Sequence, residues 1–383
     1  MALIFFSTLF ALILAELVLR LFGISFPLFF GVTPFLGDAL LPHAEGWYTR
    51  EGYAYVRINS DGLRDREYAL DKPENVIRIA VLGDSYAEAL QVPQEQTFWA
   101  IAEERLNRCE KRGGKRVEFI NFGVSGYGTA QELLVLRHKA WKYNPDFVLL
   151  AFVTGNDVRN NSKSLQQGNR PYFVFHGDRL QLDTSYMKAT SYRLKTSRLG
   201  QAVYYLLAHS RIAQLIYQVS LLTHQRKQAQ TEKAGSNIAG FETGLDSYVY
   251  RIPSTPEWIE AWRVTEAILR LMNAEVKERD SDLLVVTLSS SIQVNPDAET
   301  RERFEAALGV EDLFYPDRRI ADFADQEGIH RLTLAPYLLN LAEANGRCLH
   351  GFSNTAPCTG HWNQYGHRAA GERIASWICE GIL

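Results

Sequence analysis

The chain has little of what builds a metal centre. Its 383 residues include four cysteines, Cys109, Cys348, Cys358 and Cys379, none in a CxxC pair and none grouped with histidine at zinc-ligand spacing. No structural metal and no cofactor is expected. Charge of one sign is lacking too: 41 Lys and Arg stand against 44 Asp and Glu, a net charge of -3 with no basic stripe, so nucleic acid is not an expected partner. No internal repeat is visible. The even cysteine count is compatible with two disulfides in an oxidising compartment, and the separation of Cys348 and Cys358 would suit a loop staple. Four reduced, partly buried thiols are an equally good reading.

What is present begins with MALIFFSTLFALILAELVLRLFGI, apolar almost throughout. It approaches the roughly 20 residues that cross a bilayer as a helix, and residues 1–24 are read as a transmembrane anchor. Glu16 and Arg20 fall four apart on one helical face and can pair near the end of the span. A cleaved signal peptide is the rival, but ISFPLFFGVTPFLG offers no convincing cleavage site. A buried core helix is the plainer alternative. The cysteines favour an extracytoplasmic main domain, periplasmic or at the cell surface, while Arg20 argues weakly the other way.

Residues 25–75 read as a connector of turns and short edge strands. From residue 76 apolar runs alternate with helical stretches: VIRIAVLGDS, FWAIAEERLNRCEK, VEFINFG, AQELLVLRHKAWKY, DFVLLAFVTGND. That alternation predicts an α/β domain with a parallel sheet covered on both faces, filling 76–383. It is interrupted by an insertion at about 160–255, expected to be a lid or cap, with a helical LGQAVYYLLAHSRIAQLIYQVSLL and a polar HQRKQAQTEKAGSN expected to be a mobile loop. Tyr204, Leu207, Ile212, Leu215, Ile216 and Val219 form a stripe on the insertion's helix, expected to face a core.

The strongest chemical signal is VIRIAVLGDSYAEAL. An apolar strand that ends in Gly-Asp-Ser and opens into a helix projects Ser85 from the carboxyl edge of the sheet, where ligands bind in open α/β folds. The helix amino terminus beside the hydroxyl favours developing negative charge. Alone, GDS equally describes a turn with an N-cap. Three further segments join it. NFGVSGYG follows the second apolar run, VTGND ends the third, and GHWNQYGH stands near the carboxyl terminus just before a helical stretch. Together the four resemble the blocks of the SGNH (GDSL-type) hydrolase superfamily, in its membrane-anchored bacterial form.

The resemblance implies a three-layer α/β/α, flavodoxin-like fold and a serine esterase. Ser85 would be the nucleophile and His361 the base, with the Ser85 N–H, the Gly126 N–H and the Asn156 amide as oxyanion donors. Gly123 is the competing glycine and His367 the rival histidine, while Asp84 and Asp157 read as structural. One position departs from the family pattern: the acid usually found three residues before the histidine is replaced by Cys358. A backbone carbonyl near Cys358 is the favoured partner of His361. A carboxylate from elsewhere, such as Asp317 or Asp322, is a second possibility and weak or lost activity a third. Ala89 stands where the first block often has Gly. The expected substrate is an acyl ester, by analogy an acetyl group on a cell-surface carbohydrate. The alternatives are an O-acyltransferase acting on a glycan and a catalytically silent glycan-binding or assembly protein.

Overall fold

The apolar opening segment forms one helix, α1 (Ala2–Leu21), in the computed structural model, which describes residues 1–33, 35–233 and 246–383. Among the described residues it is the one helix long and apolar enough to cross a membrane, with a mean hydropathy of 2.5 and no buried residue. Two antiparallel hairpins follow in the segment expected to be only a connector: β1 (Phe30–Thr33) with β2 (Gly37–Leu40), and β3 (Glu45–Tyr48) with β4 (Ala54–Arg57). The turn of the second hairpin carries Glu51.

The main sheet begins with β5 (Val76–Gly83), buried at all eight positions. Its one charged residue, Arg78, is tolerated because Glu118 pairs with it at 2.9 Å and the carbonyls of Ala69, Leu70 and Tyr143 accept from its guanidinium. The chain continues through α2 (Ser85–Glu88), α3 (Phe98–Leu106), β6 (Arg116–Asn121), α4 (Thr129–His138), β7 (Phe147–Val153) and α5 (Asp157–Asn160). After the insertion come α9 (Pro256–Lys277), β10 (Asp282–Leu288), α10 (Ala298–Leu308), α11 (Tyr315–Gln326), β11 (His330–Thr333), α12 (Ala335–Asn345) and α13 (Gln364–Gly381).

The five strands are parallel and lie in the order β6, β5, β7, β10, β11. Numbered from β5, that is the 2-1-3-4-5 order of flavodoxin-like sheets, whose ligand site falls where the strand order reverses, between β5 and β7. One apolar core packs α4, α9 and α11 on one face of the sheet, and a second packs α3, α12 and α13 on the other. The three layers expected from the sequence are present. Both cysteine pairs are disulfides, Cys109–Cys379 between the α3 end and α13, and Cys348–Cys358 within the loop before His361.

The insertion differs from its expectation. It holds a hairpin of β8 (Tyr172–His176) and β9 (Arg179–Asp183), then α6 (Thr190–Thr196), α7 (Arg198–His209) and α8 (Arg211–Lys233). The helical stretch is broken at Ser210, which takes an extended backbone. The polar segment from 224 continues α8 as far as Lys233 instead of starting a loop, because Gln, Lys, Ala and Glu are good helix formers. Residues 234–237 of that expected loop lie outside the described residues. The apolar stripe meets a core only in its first half: Tyr204, Leu207 and Ile212 are half-buried, whereas Leu215, Ile216 and Val219 are exposed.

Candidate active site

Gly83 ends β5 where space allows no side chain, since a Cβ there would sit 2.8 Å from that of Ala87 and 3.2 Å from that of Ala151. The close approach lets α2 start at once. Asp84 caps it, its carboxylate accepting from the Tyr86 N–H at 2.9 Å, and Ser85 opens the helix with a first-turn N–H that has no intrahelical acceptor. The helix stops after one turn at Ala89, which sits at a φ of 51°, a left-handed conformation that favours Gly.

Ser85 and His361, 276 residues apart, meet: the Ser85 Oγ lies 2.8 Å from His361 Nε2. The other imidazole nitrogen, Nδ1, lies 2.5 Å from Glu51 Oε2, and the His361 N–H donates to Glu51 Oε1 at 2.7 Å. Serine, imidazole and carboxylate therefore form one continuous relay. Its acid comes from the β3–β4 turn, neither from a carbonyl near Cys358 nor from Asp317 or Asp322. Asp317 is fully buried elsewhere, accepting from Thr287 and Gln293, and burial pushes its carboxyl up to about 7. Burial would also raise Glu51, but hydrogen bonds from His361 and Gln91 outweigh it and hold this carboxyl below its ordinary value.

The surroundings fix this geometry. Gly360 at a φ of 76° leaves room for Glu51, whose Oε1 would lie 2.2 Å from a Cβ at that position. The loop before His361 is closed by the Cys348–Cys358 disulfide and by a bridge between His350 and Trp362. The buried His350 ring places Nδ1 2.7 Å from the Gly360 carbonyl and Nε2 3.3 Å from Ser289 Oγ, and burial lowers its pKa to about 4, keeping it neutral. The Tyr86 ring packs 5.1 Å from the His361 ring.

The remaining sequence-predicted residues separate into two groups. Asn156 follows β7 at the same rim, donating from Nδ2 to Asp84 Oδ2 at 2.9 Å, while its Oδ1 is buried with no partner among the described residues. Gly126 occupies a turn at a φ of 78° with its carbonyl accepting from Arg170 at 2.6 Å. Next to it, Ser125 donates from backbone and hydroxyl to Glu88 of α2, tying this turn to the helix that Ser85 opens. Burial raises the Glu88 carboxyl to about 7. Gly123, by contrast, spends its N–H on Asn121 at 3.0 Å and lies where a Cβ would strike Ala87 and Glu88. His367 is away from the relay: it is buried, accepts from the Phe98 N–H and is depressed to about 3 by burial. Asp157 is buried and accepts from the Val153 N–H at 2.7 Å.

Glu51 is the residue that sequence reasoning missed. Its turn, Thr-Arg-Glu-Gly-Tyr between two short runs, marks a hairpin, but nothing in the spacing links it to a histidine 310 residues later. A cavity of about 380 Å³ adjoins the hairpin turn that carries Glu51 and is walled by Trp47, Tyr48, Arg50, Ser125, Tyr204 and Tyr217, among others, though not by the relay residues themselves. Burial first, and then the nearby Glu51 charge, push the Tyr48 hydroxyl up to about 12, so it stays a hydrogen-bond donor.

No family model matches the chain, and no curated protein matches it. Among solved structures it is similar to the acetyl xylan esterase AlAXEase, at 14% identity over 79% of this chain and 100% of that one, with a TM-score of 0.40. It is similar also to a lipolytic protein of the G-D-S-L family from Desulfitobacterium hafniense, at 9% identity over 78% and 98% with a TM-score of 0.37. A variant of an acetylxylan esterase from Geobacillus stearothermophilus is 11% identical over 80% and 94%, with a TM-score of 0.38. What the site does is read from its own side chains.

Proposed function

We propose that the chain is a membrane-held serine esterase of the SGNH type, and the continuous Ser85–His361–Glu51 relay is the observation that carries this reading. Ester cleavage needs an alcohol within reach of a base, a group that holds the base in one tautomer, and donors aimed at the oxyanion. His361 Nε2 takes the Ser85 proton as Oγ bonds to the ester carbonyl carbon. The resulting oxyanion is met by the Ser85 and Gly126 N–H groups and the Asn156 amide. His361 then returns the proton to the departing alcohol, leaving acyl-Ser85. Water, deprotonated by the same imidazole, releases the acid and restores the hydroxyl. Glu51 stays ionised and stabilises the imidazolium, a role its lowered pKa suits.

The acyl group is proposed to be small, acetyl foremost, and the alcohol a cell-surface carbohydrate. The aromatic wall of the adjoining cavity supports a sugar, whose apolar faces stack on such rings. The two disulfides support an oxidising, extracytoplasmic setting, and α1 supports a single-pass anchor. Glu51 removes the motive for a catalytically silent reading, which rested on the missing acid at Cys358.

The test is hydrolysis of an activated acetyl ester by the native protein and by Ser85→Ala. Turnover is expected in the native protein and should fall to background in the variant with its fold intact. Retained turnover in Ser85→Ala would contradict the assignment.

A further inference from the structure

The insertion's helices present an apolar surface that the fold does not use. On α7, Leu199, Val203 and Leu206 recur at helical spacing and are 69%, 49% and 55% exposed, and on α8 Ile216 and Val219 are 65% and 53% exposed. Patches of this kind on a folded protein mark an interaction site. What covers it is indicated by where it is tied and by its charge.

The tie is to α1. Glu16 receives the Ser210 hydroxyl at 3.0 Å and the N–H groups of Arg211 and Ile212 at 3.0 and 3.1 Å, so it caps the start of α8. Arg20, paired with Glu16, also donates to the His209 carbonyl at the end of α7, at 2.6 Å. The α7–α8 junction therefore sits level with Glu16, five residues inside the α1 end at Leu21. At 1.5 Å per residue this is only about 7 Å below that end. A span of roughly 20 residues takes in all of α1 (Ala2–Leu21), which brings Glu16 within about a turn and a half of the boundary of headgroups and acyl chains. The tied junction descends with it.

The charge agrees. From Thr184 to Thr223 there is not one carboxylate, but there are Lys188, Arg193, Lys195, Arg198 and Arg211, in a chain whose net charge is -3. Exposed apolar helical faces in a segment whose own charges are cationic, with the Glu16 carboxylate spent on the α8 cap, are the pattern of helices that lie in an anionic bilayer surface.

We propose that α7 and α8 lie in the headgroup layer of an anionic phospholipid bilayer, their apolar faces toward the acyl chains, holding the domain at a fixed height and tilt on the membrane. The proposal rests on α1 being a membrane anchor. Because Tyr204 and Tyr217 of these helices also line the cavity at the Glu51 turn, it sets that cavity close to the bilayer surface.

The full chain, reconstituted in phosphatidylglycerol vesicles with the photo-crosslinker p-benzoylphenylalanine in place of Leu206 or Ile216, should form lipid adducts on illumination. Both positions are exposed, so folding is not at stake. The same probe at Leu12 in α1 reports the anchor, and at Tyr337 on α12, in the opposite helical layer, it reports free solvent. Adducts are expected at 206 and 216 as at 12, with none at 337, and with a lower yield at 206 and 216 in phosphatidylcholine vesicles. Adducts at 12 without adducts at 206 and 216 would overturn the proposal and leave the anchor standing. Loss of all three would remove the anchor as well. Crosslinks to a second copy at 206 or 216, or equal yields in the two lipids, would equally overturn it.

Discussion

The two arms of the relay are held in different ways. Ser85 hangs from the most buried part of the molecule, on a strand with no exposed position and a turn too tight for a side chain at Gly83. Glu51 comes from the tip of a two-stranded hairpin outside the sheet, whose Trp47, Tyr53 and Tyr55 are all exposed. Ser85 is thus fixed by the core, whereas Glu51 is fixed locally by its bonds to His361 and by the space at Gly360. Substitutions that remove the support of each arm should therefore fail differently, in activity on the Glu51 side and in stability on the side of the strand that carries Ser85.

The largest separation is expected from Glu51→Gln, which keeps the shape and removes the charge. Loss of the orienting carboxylate costs on the order of 10⁴ in kcat in a relay of this kind, about 5 kcal/mol of barrier. Steady-state kinetics beside thermal unfolding should show that loss with an unfolding temperature close to native. Leu82→Ala is its converse on the buried arm. Emptying a fully buried leucine site in β5 should cost roughly 2–5 kcal/mol of stability, read by denaturant unfolding, with kcat of the folded fraction near native.

Asn156→Ala should fall between them, lowering kcat by about 10² to 10³ through loss of one oxyanion donor, with KM little changed. The smallest effect is a pH slope. Burial raises Glu88 to about 7, so the folded state holds a proton there that the unfolded state releases near 4.5. Its contribution is intact below 4.5 and turns destabilising as pH rises from there to about 7. Glu88→Gln should therefore lose less stability than the native protein between pH 4 and pH 8, measured by unfolding across that range.

The parallel sheet was legible because each strand writes itself as a short apolar run before a helical stretch, and Ser85, Asn156 and His361 because each lies in a loop after such a run or just before a helix. Glu51 was not legible. A carboxylate in a hairpin turn looks like any solvated turn residue, and its function exists only once the amino-terminal segment folds over the sheet rim. Cys358 drew attention to the wrong loop, since a position three residues before His361 tells nothing of what reaches the imidazole from another element. The stripe on α7 and α8 has the periodicity of a core-facing helix, and period alone does not say whether the apolar neighbour is protein.

The central claim is that Glu51, His361 and Ser85 act as one unit. Its most direct test is the rate at which a fluorophosphonate labels Ser85 in the native protein and in Glu51→Gln. Native Ser85 should be labelled, and the variant at a rate at least 100-fold slower, in line with the cost of an uncompensated imidazolium, with both proteins equally folded. Equal rates would contradict it.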